Sequence, residues 1–226
     1  MMSLEFAFIV TFCVVCFTRA SGYMAVIQPY FTGDTFSHYP SEQRELYVNI
    51  ASLMIPFGAL YAPVIEPVVN KLGFAYHSVY VMIFGAVWSL LAMVDSLNVQ
   101  LIGAFVFTYY RANVFAFPGI FNLYVFGAAN LGVINGVMYT LAAPCNYAIT
   151  PALNYALTGK WDALWLILTG VLVVPFLLAL VLKCVSKDKL VQPNFGQDGS
   201  EAKYMHVVSS SEQDELTQNL VSAAEP

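Results

Sequence analysis

The chain has 226 residues, of which 59% are hydrophobic and only 10% are charged. Soluble domains carry about 25% charged residues, and the mean hydropathy here is +0.68, so these values exclude an ordinary soluble domain and predict an integral, multi-pass membrane protein. The formal net charge of −5 comes without a basic patch interleaved with aromatic residues, which argues against a nucleic-acid partner.

Runs of about 20 mostly apolar residues predict membrane-spanning helices. Six such runs follow one another, at Leu4–Phe31, Leu46–Val69, Ser78–Val94, Val99–Phe117, Tyr124–Leu157 and Leu164–Cys184. The fifth is too long for one perpendicular helix, so we expect its helix from about Gly127 to about Ile149. The predicted fold class is an all-α polytopic membrane protein with a six-helix domain in residues 1–189, in the plasma membrane or an internal membrane.

The charges of the loops predict the orientation, because lysine and arginine in short loops favour the cytoplasmic side. Lys71, Lys183, Lys187 and Lys189 fall on the side of the termini, against Arg44 and Lys160 on the other side. We therefore expect both termini in the cytoplasm. Residues 190–226 are polar and acidic, too poor in apolar residues to pack a core, and predict a disordered cytoplasmic tail.

Two arginines, Arg19 and Arg111, interrupt otherwise apolar spans. A charged residue at the centre of a spanning helix costs about 2.5–3.5 kcal/mol to insert, so it is a functional-site hypothesis by default. The alternative is snorkelling, in which a long side chain carries its charge to the membrane surface. We favour binding or gating of an anionic group.

Polar residues at helical spacing accompany the arginines. Tyr23 follows Arg19 by four residues, and Thr108, Arg111 and Phe115 share one face of the fourth span. The fifth span carries Asn135, Tyr139 and Asn146 on one side. This side is expected to face protein or water, and its asparagines either contribute to a binding site or join helices by hydrogen bonds.

Glycines and prolines predict how the helices pack. Gly132 and Gly136 form a G-x-x-x-G motif, which allows another helix to approach closely. The second span contains Pro56, Pro63 and Pro67. Prolines kink spanning helices and are tolerated where protein or a water-filled cavity compensates, as in transporters that rock between two states.

Catalytic and metal-binding patterns are missing from the sequence. Cys13 and Cys16 form a C-x-x-C within an apolar run, without the further ligands that zinc needs, and are interpreted as small packing residues. His38 and His77 are expected in or near loops and His206 in the tail. With no hydrolase, metalloprotease or phosphate-binding motif, we expect no enzyme, no cofactor and no metal. Glu66 lies within the second predicted span, near its cytoplasmic end, and is the sequence candidate for proton coupling.

The stretch from Leu4 to Lys189 resembles the C-terminal half of a major facilitator superfamily transporter. Gly58, Leu60, Lys71 and Gly73 echo the short cytoplasmic loop of that superfamily, although its acidic-basic pair is absent and its spacing is stretched. More specifically, the chain is similar to the solute carrier family 43 branch of amino-acid transporters and its protist relatives. The positions that carry this likeness are Tyr110, Arg111, Gly127, Gly132 and Gly136.

The resemblance implies that the first and fourth spans line a central cavity, with Arg19 and Arg111 facing it. It further implies transport of amino acids or related carboxylate-bearing solutes by alternating access, with Tyr23, Thr108, Tyr110, Asn135, Tyr139 and Asn146 as further binding or gating candidates. Such transporters have twelve spans, so we expect a truncated product or a half-size chain that pairs with a second half or a second copy. The alternative is a non-transporting membrane scaffold or regulatory partner, with the glycine motif for helix contacts and the tail for recruitment.

Overall fold

The computed structural model of the chain describes residues 4–185, with the side chains at 62, 66 and 148 left out. The tail predicted for residues 190–226 lies outside this range. The described residues form helices and 3₁₀ turns, with no strand among them. The α-helices are α1 (Leu4–Thr32), α2 (Ser41–Met54), α3 (Ala62–Leu72), α4 (Phe74–Ala92), α5 (Leu97–Phe126), α6 (Ala128–Ala148), α7 (Thr150–Ala156), α8 (Trp161–Gly170) and α9 (Val173–Val185).

Three helical segments among the described residues are long and apolar enough to cross a membrane: Leu4–Thr32, Phe74–Ala92 and Trp161–Val185, the last comprising α8 and α9. A fourth is added if Ser41–Tyr61 and Pro63–Leu72, which are bent by 50° at their junction, count as one broken span. These four correspond to the predicted spans one, two, three and six. They confirm a helical protein with several potential spans.

Helices α5 and α6 have the length of a span, with 30 and 21 residues, but are not among the segments found apolar enough to cross a membrane. They correspond to predicted spans four and five. The count of six spans therefore stays a prediction, as does the half-facilitator fold.

The bend in the second predicted span follows from its prolines. Pro56 opens a 3₁₀ turn, Pro56–Tyr61, which separates α2 from α3, and Pro67 lies inside α3. Proline lacks the backbone N–H of an α-helix and its ring clashes with the preceding turn, so the helix breaks here. The kink expected from the sequence is confirmed.

Two glycines make abrupt connections between long helices. Gly73 separates α3 from α4 with φ 76°, and Gly127 separates α5 from α6 with φ 79°. Positive φ is readily available to glycine alone, so one residue suffices to end a helix and begin the next. Helix α6 therefore runs from Ala128 to Ala148, which confirms the limits near Gly127 and Ile149.

The predicted end of the fourth span at Phe117 is wrong. Helix α5 continues through Pro118 to Phe126, so Tyr124, predicted to begin the fifth span, belongs to α5. Proline is tolerated inside spanning helices because neighbouring helices and local adjustments satisfy the freed backbone groups. Pro118 therefore does not end α5.

The core is unusually aromatic and centres on α1, α4 and α5. Helix α4 packs along α5, while α1 packs against α2, α5, α6 and α9. Rings from separate helices meet edge to face, as where Tyr23 contacts Trp88 at 5.0 Å and Tyr30 contacts Trp161 at 5.0 Å. Aromatic pairs in this geometry add about 0.5–1.5 kcal/mol each beyond the burial of their area, so they fix how the helices are rotated against one another.

Candidate functional site

Arg19 lies at the centre of the bundle and is completely buried. It is the sixteenth of the 29 residues of α1. Its Nη2 donates to the carbonyl oxygen of Gly85 at 2.9 Å and to Oγ of Ser89 at 2.7 Å, both on α4. Its Nη1 donates to the hydroxyl of Tyr110 on α5 at 3.2 Å. Three helices are thereby joined through one guanidinium.

All the acceptors of Arg19 are neutral, so aromatic rings supply part of the compensation for its charge. The guanidinium carbon lies 5.3 Å from the ring centre of Trp88 and 5.4 Å from that of Tyr110. Cation–π contacts that are shielded from water contribute about 2 kcal/mol. Its Nε has no hydrogen-bond partner among the described residues. This environment is that of a structural cation enclosed by the fold.

Arg111 has a different environment, although it follows Tyr110 directly. It is only partly buried, and its guanidinium carbon lies 5.1 Å from the ring centre of Phe115. Within the described part of the chain its Nε has no hydrogen-bond partner. Arg111 is the fifteenth of the 30 residues of α5, about 21 Å from either end at 1.5 Å per residue, so snorkelling to the surface is a long reach.

Phe115 begins a stack of aromatic rings across three helices, here called the aromatic ladder: Phe115 of α5, Phe17 of α1 and Tyr139 of α6. The Phe115 and Phe17 rings are 4.9 Å apart and tilted by 22°, and the Phe17 and Tyr139 rings are 5.3 Å apart and tilted by 7°. Phe17 is buried, whereas Phe115 and Tyr139 are 41% and 48% exposed. The ladder therefore ends in a guanidinium on one side and a phenol on the other, on an accessible face.

The structure places Tyr23, Thr108 and Tyr110 away from this ladder. All three are buried. Tyr23 packs between Trp88 and Phe107, and the hydroxyl of Thr108 donates to the carbonyl oxygen of Ala104, one turn back on its own helix, at 2.8 Å. Tyr110 is the partner of Arg19. These residues build the core rather than an open surface.

The polar candidates of α6 also have different surroundings, some joining helices and one belonging to the aromatic ladder. The side-chain oxygen Oδ1 of Asn135 accepts a hydrogen bond from Nδ2 of Asn122 on α5 at 2.8 Å, so this asparagine joins two helices. Oδ1 of Asn146 has no hydrogen-bond partner among the residues described. Of the α6 candidates, Tyr139 alone takes part in the ladder.

The G-x-x-x-G motif makes no close contact within the described chain. Gly132 and Gly136 are exposed, and a Cβ placed on either would have no neighbouring heavy atom within 4 Å. The close helix contact that the motif predicts is therefore not formed by the helices described here, and this side of α6 is open.

Several important residues were missed or misplaced by the sequence interpretation. His77, expected in or near a loop, lies in the first turns of α4 and is completely buried. Ser89, Asn122 and Gln100 are buried polar partners that no motif marked. The signal that was available is their position: each is a polar residue within a run of apolar ones, the same signal that marked the arginines.

The cysteine pair packs in the interior. Cys13 and Cys16 are buried and free, and Sγ of Cys13 lies 3.7 Å from the sulfur of Met138 on α6. Among the described residues, no group of three or more histidine, cysteine or acidic side chains is arranged to hold a metal ion.

The arrangement therefore suits the binding of a planar anion on an accessible face. A guanidinium backed by a ring can bind a planar anion through two parallel hydrogen bonds, and exposed aromatic surface beside it can contact an apolar group. No family model matches the chain, and neither a curated protein nor a solved structure matches it.

Proposed function

We propose that this chain is a six-span half of a facilitator-type transporter that moves amino acids or related small carboxylate-bearing solutes by alternating access. The observation that carries the proposal is Arg111. Its guanidinium lies midway along α5, is stacked on Phe115 and has no hydrogen-bonded partner at Nε among the described residues.

A carboxylate is the anion that best suits this guanidinium. The planar fork of arginine matches the two oxygens of a carboxylate, which lysine cannot do. Stacking on Phe115 holds the plane of the fork. A site within the membrane also has a low dielectric constant, which strengthens the attraction between opposite charges.

The helices around the ladder support movement of the solute across the membrane. The ladder is built by α1, α5 and α6, so its residues lie on long helices and not on surface loops. The broken helix at Pro56–Tyr61 and the prolines inside α1, α5 and α6 supply bends, which recur in transporters that alternate between two states.

Replacement of Arg111 by lysine tests the proposal. Lysine keeps the charge but loses the fork, so uptake of labelled leucine by cells that express the chain should show an apparent affinity reduced by about tenfold or more, because a charge-assisted hydrogen bond contributes about 1.5–3 kcal/mol. Arg44→Lys is the matched control, because Arg44 binds the carbonyl oxygens of Thr32 and Gly33 at the end of α1. Surface expression is measured for both.

Wild-type affinity in a well-expressed Arg111→Lys protein would remove the carboxylate from the proposal. An equal loss in Arg44→Lys would show that any exchange of arginine for lysine damages the protein, and the result would then contradict a specific role for Arg111.

A second candidate function, a scaffold that docks another membrane protein, is favoured by the open face of α6. Gly132 and Gly136 have space around them, and the neighbouring Val133 is 70% exposed. Cross-linking of a cysteine placed at Val133 tests for association, and Arg111-dependent uptake separates the two functions. Association without uptake favours the scaffold.

A further inference from the structure

The burial of His77 costs free energy. Its imidazole is completely buried between α4 and α5 and packs against the rings of Phe117 and Tyr80, at 5.1 and 5.8 Å. Neither ring nitrogen has a hydrogen-bond partner in the part of the chain that is described. A buried polar atom without a partner costs about 1–3 kcal/mol, so an apolar ring would pack here at lower cost.

Asn113 is the polar side chain that reaches the imidazole from the other helix. It is 1% exposed and lies on α5. Its amide nitrogen donates to the carbonyl oxygen of Tyr109 at 2.9 Å, whereas its side-chain oxygen has no hydrogen-bond partner among the described residues. Asn113 lies one turn before Phe117 on α5, and Phe117 packs against the ring of His77. Two unsatisfied groups, one able to carry a proton and one able only to accept a hydrogen bond, thus share one buried position.

We propose that His77 and Asn113 form a proton-binding site within the helix bundle, through which the solute movement of the proposed function is coupled to a proton. The inference rests on that function. In the step, a lone pair of the imidazole takes a proton from a hydronium ion on one side of the membrane, which leaves water, and the new N–H donates to the oxygen of Asn113. The same N–H bond breaks when the proton passes to water on the other side.

Protonation biases the protein between two packings of α4 and α5. A neutral imidazole is compatible with the closed, ring-lined contact that the structure shows. A charged imidazolium in the same place would be costly without water or a counter-ion, so it favours a packing in which these helices part and water enters. A proton that binds one packing better than the other shifts the equilibrium between them.

The other ionisable groups near α4 are occupied or distant. They include Tyr76 and Tyr80 on α4 itself, Tyr109 and Tyr110 of α5, Lys183 of α9, Lys71 of α3, Arg19 of α1 and Asp162 of α8. The hydroxyls of Tyr80 and Tyr109 hydrogen-bond each other at 2.8 Å, and Lys183 lies 4.4 Å from the ring centre of Tyr76. Lys71 is exposed.

Arg19 and Asp162 act further along α4. Arg19 binds Gly85, about two turns beyond His77. Asp162 is exposed at the start of α8, and Trp165 of that helix contacts α4 at Trp88, about three turns beyond His77. His77 is therefore the side chain in this part of the α4–α5 contact that can take up and release a proton.

The first test needs no solute. The full chain, labelled with ¹⁵N at its three histidines, is placed in lipid nanodiscs, and His77→Gln assigns the signals. We expect the His77 ring to change charge state reversibly as the pH is lowered, with unchanged helix content, and Asn113→Leu to change the midpoint. Exposed His38 serves as the internal reference. A His77 ring that keeps one charge state throughout, or that titrates only as the helices unfold, overturns the proposal.

The second test measures coupling. Proteoliposomes take up labelled leucine with the membrane potential clamped, and one pH unit should drive an about tenfold accumulation at one proton per solute, since 1.4 kcal/mol corresponds to a factor of ten. His77→Gln should abolish accumulation but keep counterflow exchange, which needs no net proton movement, and His38→Gln should behave like wild type. Accumulation by His77→Gln contradicts the proposal. Absence of counterflow in the wild type contradicts the proposed function for leucine, while the titration of His77 still decides the proton site.

Discussion

Arg19 and Tyr110 meet at the centre of the bundle, where Nη1 of the arginine donates to the tyrosine hydroxyl at 3.2 Å and the guanidinium carbon lies 5.4 Å from the tyrosine ring centre. Tyr110 faces inward to Arg19, whereas the next residue, Arg111, stacks on Phe115. Successive helical residues point about 100° apart, so α5 presents one side chain to the interior and the next to another face. The two arginines therefore have different surroundings: Arg19 joins three helices in the interior, and Arg111 stacks on the aromatic ladder.

Tyr110→Phe should destabilise the protein and leave solute affinity largely unchanged. The substitution keeps the ring against Arg19 but removes the acceptor, and a hydrogen bond to a charged group contributes about 1.5–3 kcal/mol. Thermal unfolding in detergent measures the loss. Tyr147→Phe, at a tyrosine that is 82% exposed, is the control and should unfold like wild type. Equal stability of the two variants would show that Arg19 does not depend on this bond.

Gly85→Ala should destabilise the same centre by crowding it. A Cβ at Gly85 would lie 2.5 Å from Nη1 of Arg19 and 2.8 Å from a ring carbon of Tyr110, and overpacking of a core costs about 1–3 kcal/mol. Gly119→Ala is the matched control, because no heavy atom lies within 4 Å of its Cβ position. Alanine is a better helix former by about 1 kcal/mol, so the control should be slightly stabilised in the same unfolding assay. A stable Gly85→Ala protein would show that Arg19 moves aside easily.

Gln100→Leu should loosen the end of α4. Nε2 of Gln100 lies 2.7 Å from the carbonyl oxygen of Val94 and 3.2 Å from those of Leu91 and Ala92, so it links the start of α5 to the end of α4. Loss of one hydrogen bond costs about 0.5–1.5 kcal/mol.

Faster hydrogen exchange near the end of α4 and a lower unfolding temperature are the expected results for Gln100→Leu. Gln28→Leu, at an exposed glutamine of α1, is the control. Unchanged exchange at Leu91 and Ala92 would show that the backbone closes this helix end without the glutamine.

The sequence was informative about relations within one helix. Hydropathy located α1 and α4 closely, because burial in lipid acts on each span separately. Spacing of four residues placed Phe115 beside Arg111, and Arg19 and Tyr23 both contact Trp88. Helical geometry alone decides such pairs.

Relations between helices were not predictable in the same way. The stack of Phe17 between Phe115 and Tyr139 depends on the rotation of three helices, which many packed rings decide together. The insertion cost is also the same for Arg19 and Arg111, so it marked both without showing that the partners of Arg19 lie on α4 and α5. The insertion cost indicates that an arginine within a span has a role, and its contacts in the fold are needed to show which role.

Phe115→Leu should weaken solute binding while the fold persists. Leucine keeps an apolar side chain but removes the flat face that supports the guanidinium of Arg111. Loss of a cation–π contact worth about 1 kcal/mol reduces affinity about fivefold. Uptake of labelled leucine over a range of concentrations measures this change. Phe105→Leu is the matched control on the same helix, since Phe105 is also about half exposed and contacts Tyr61 instead of the ladder.

The combination of Phe115→Leu with Arg111→Lys decides whether the two residues act together. If the ring works by holding the guanidinium, the loss caused by Arg111→Lys should be smaller in the Phe115→Leu background than in the wild type, because residues in contact give non-additive effects. Phe105→Leu combined with Arg111→Lys should give additive losses. Additive losses for both pairs would mean that Phe115 contributes apolar surface alone, and the orientation of the Arg111 fork would then depend on other residues.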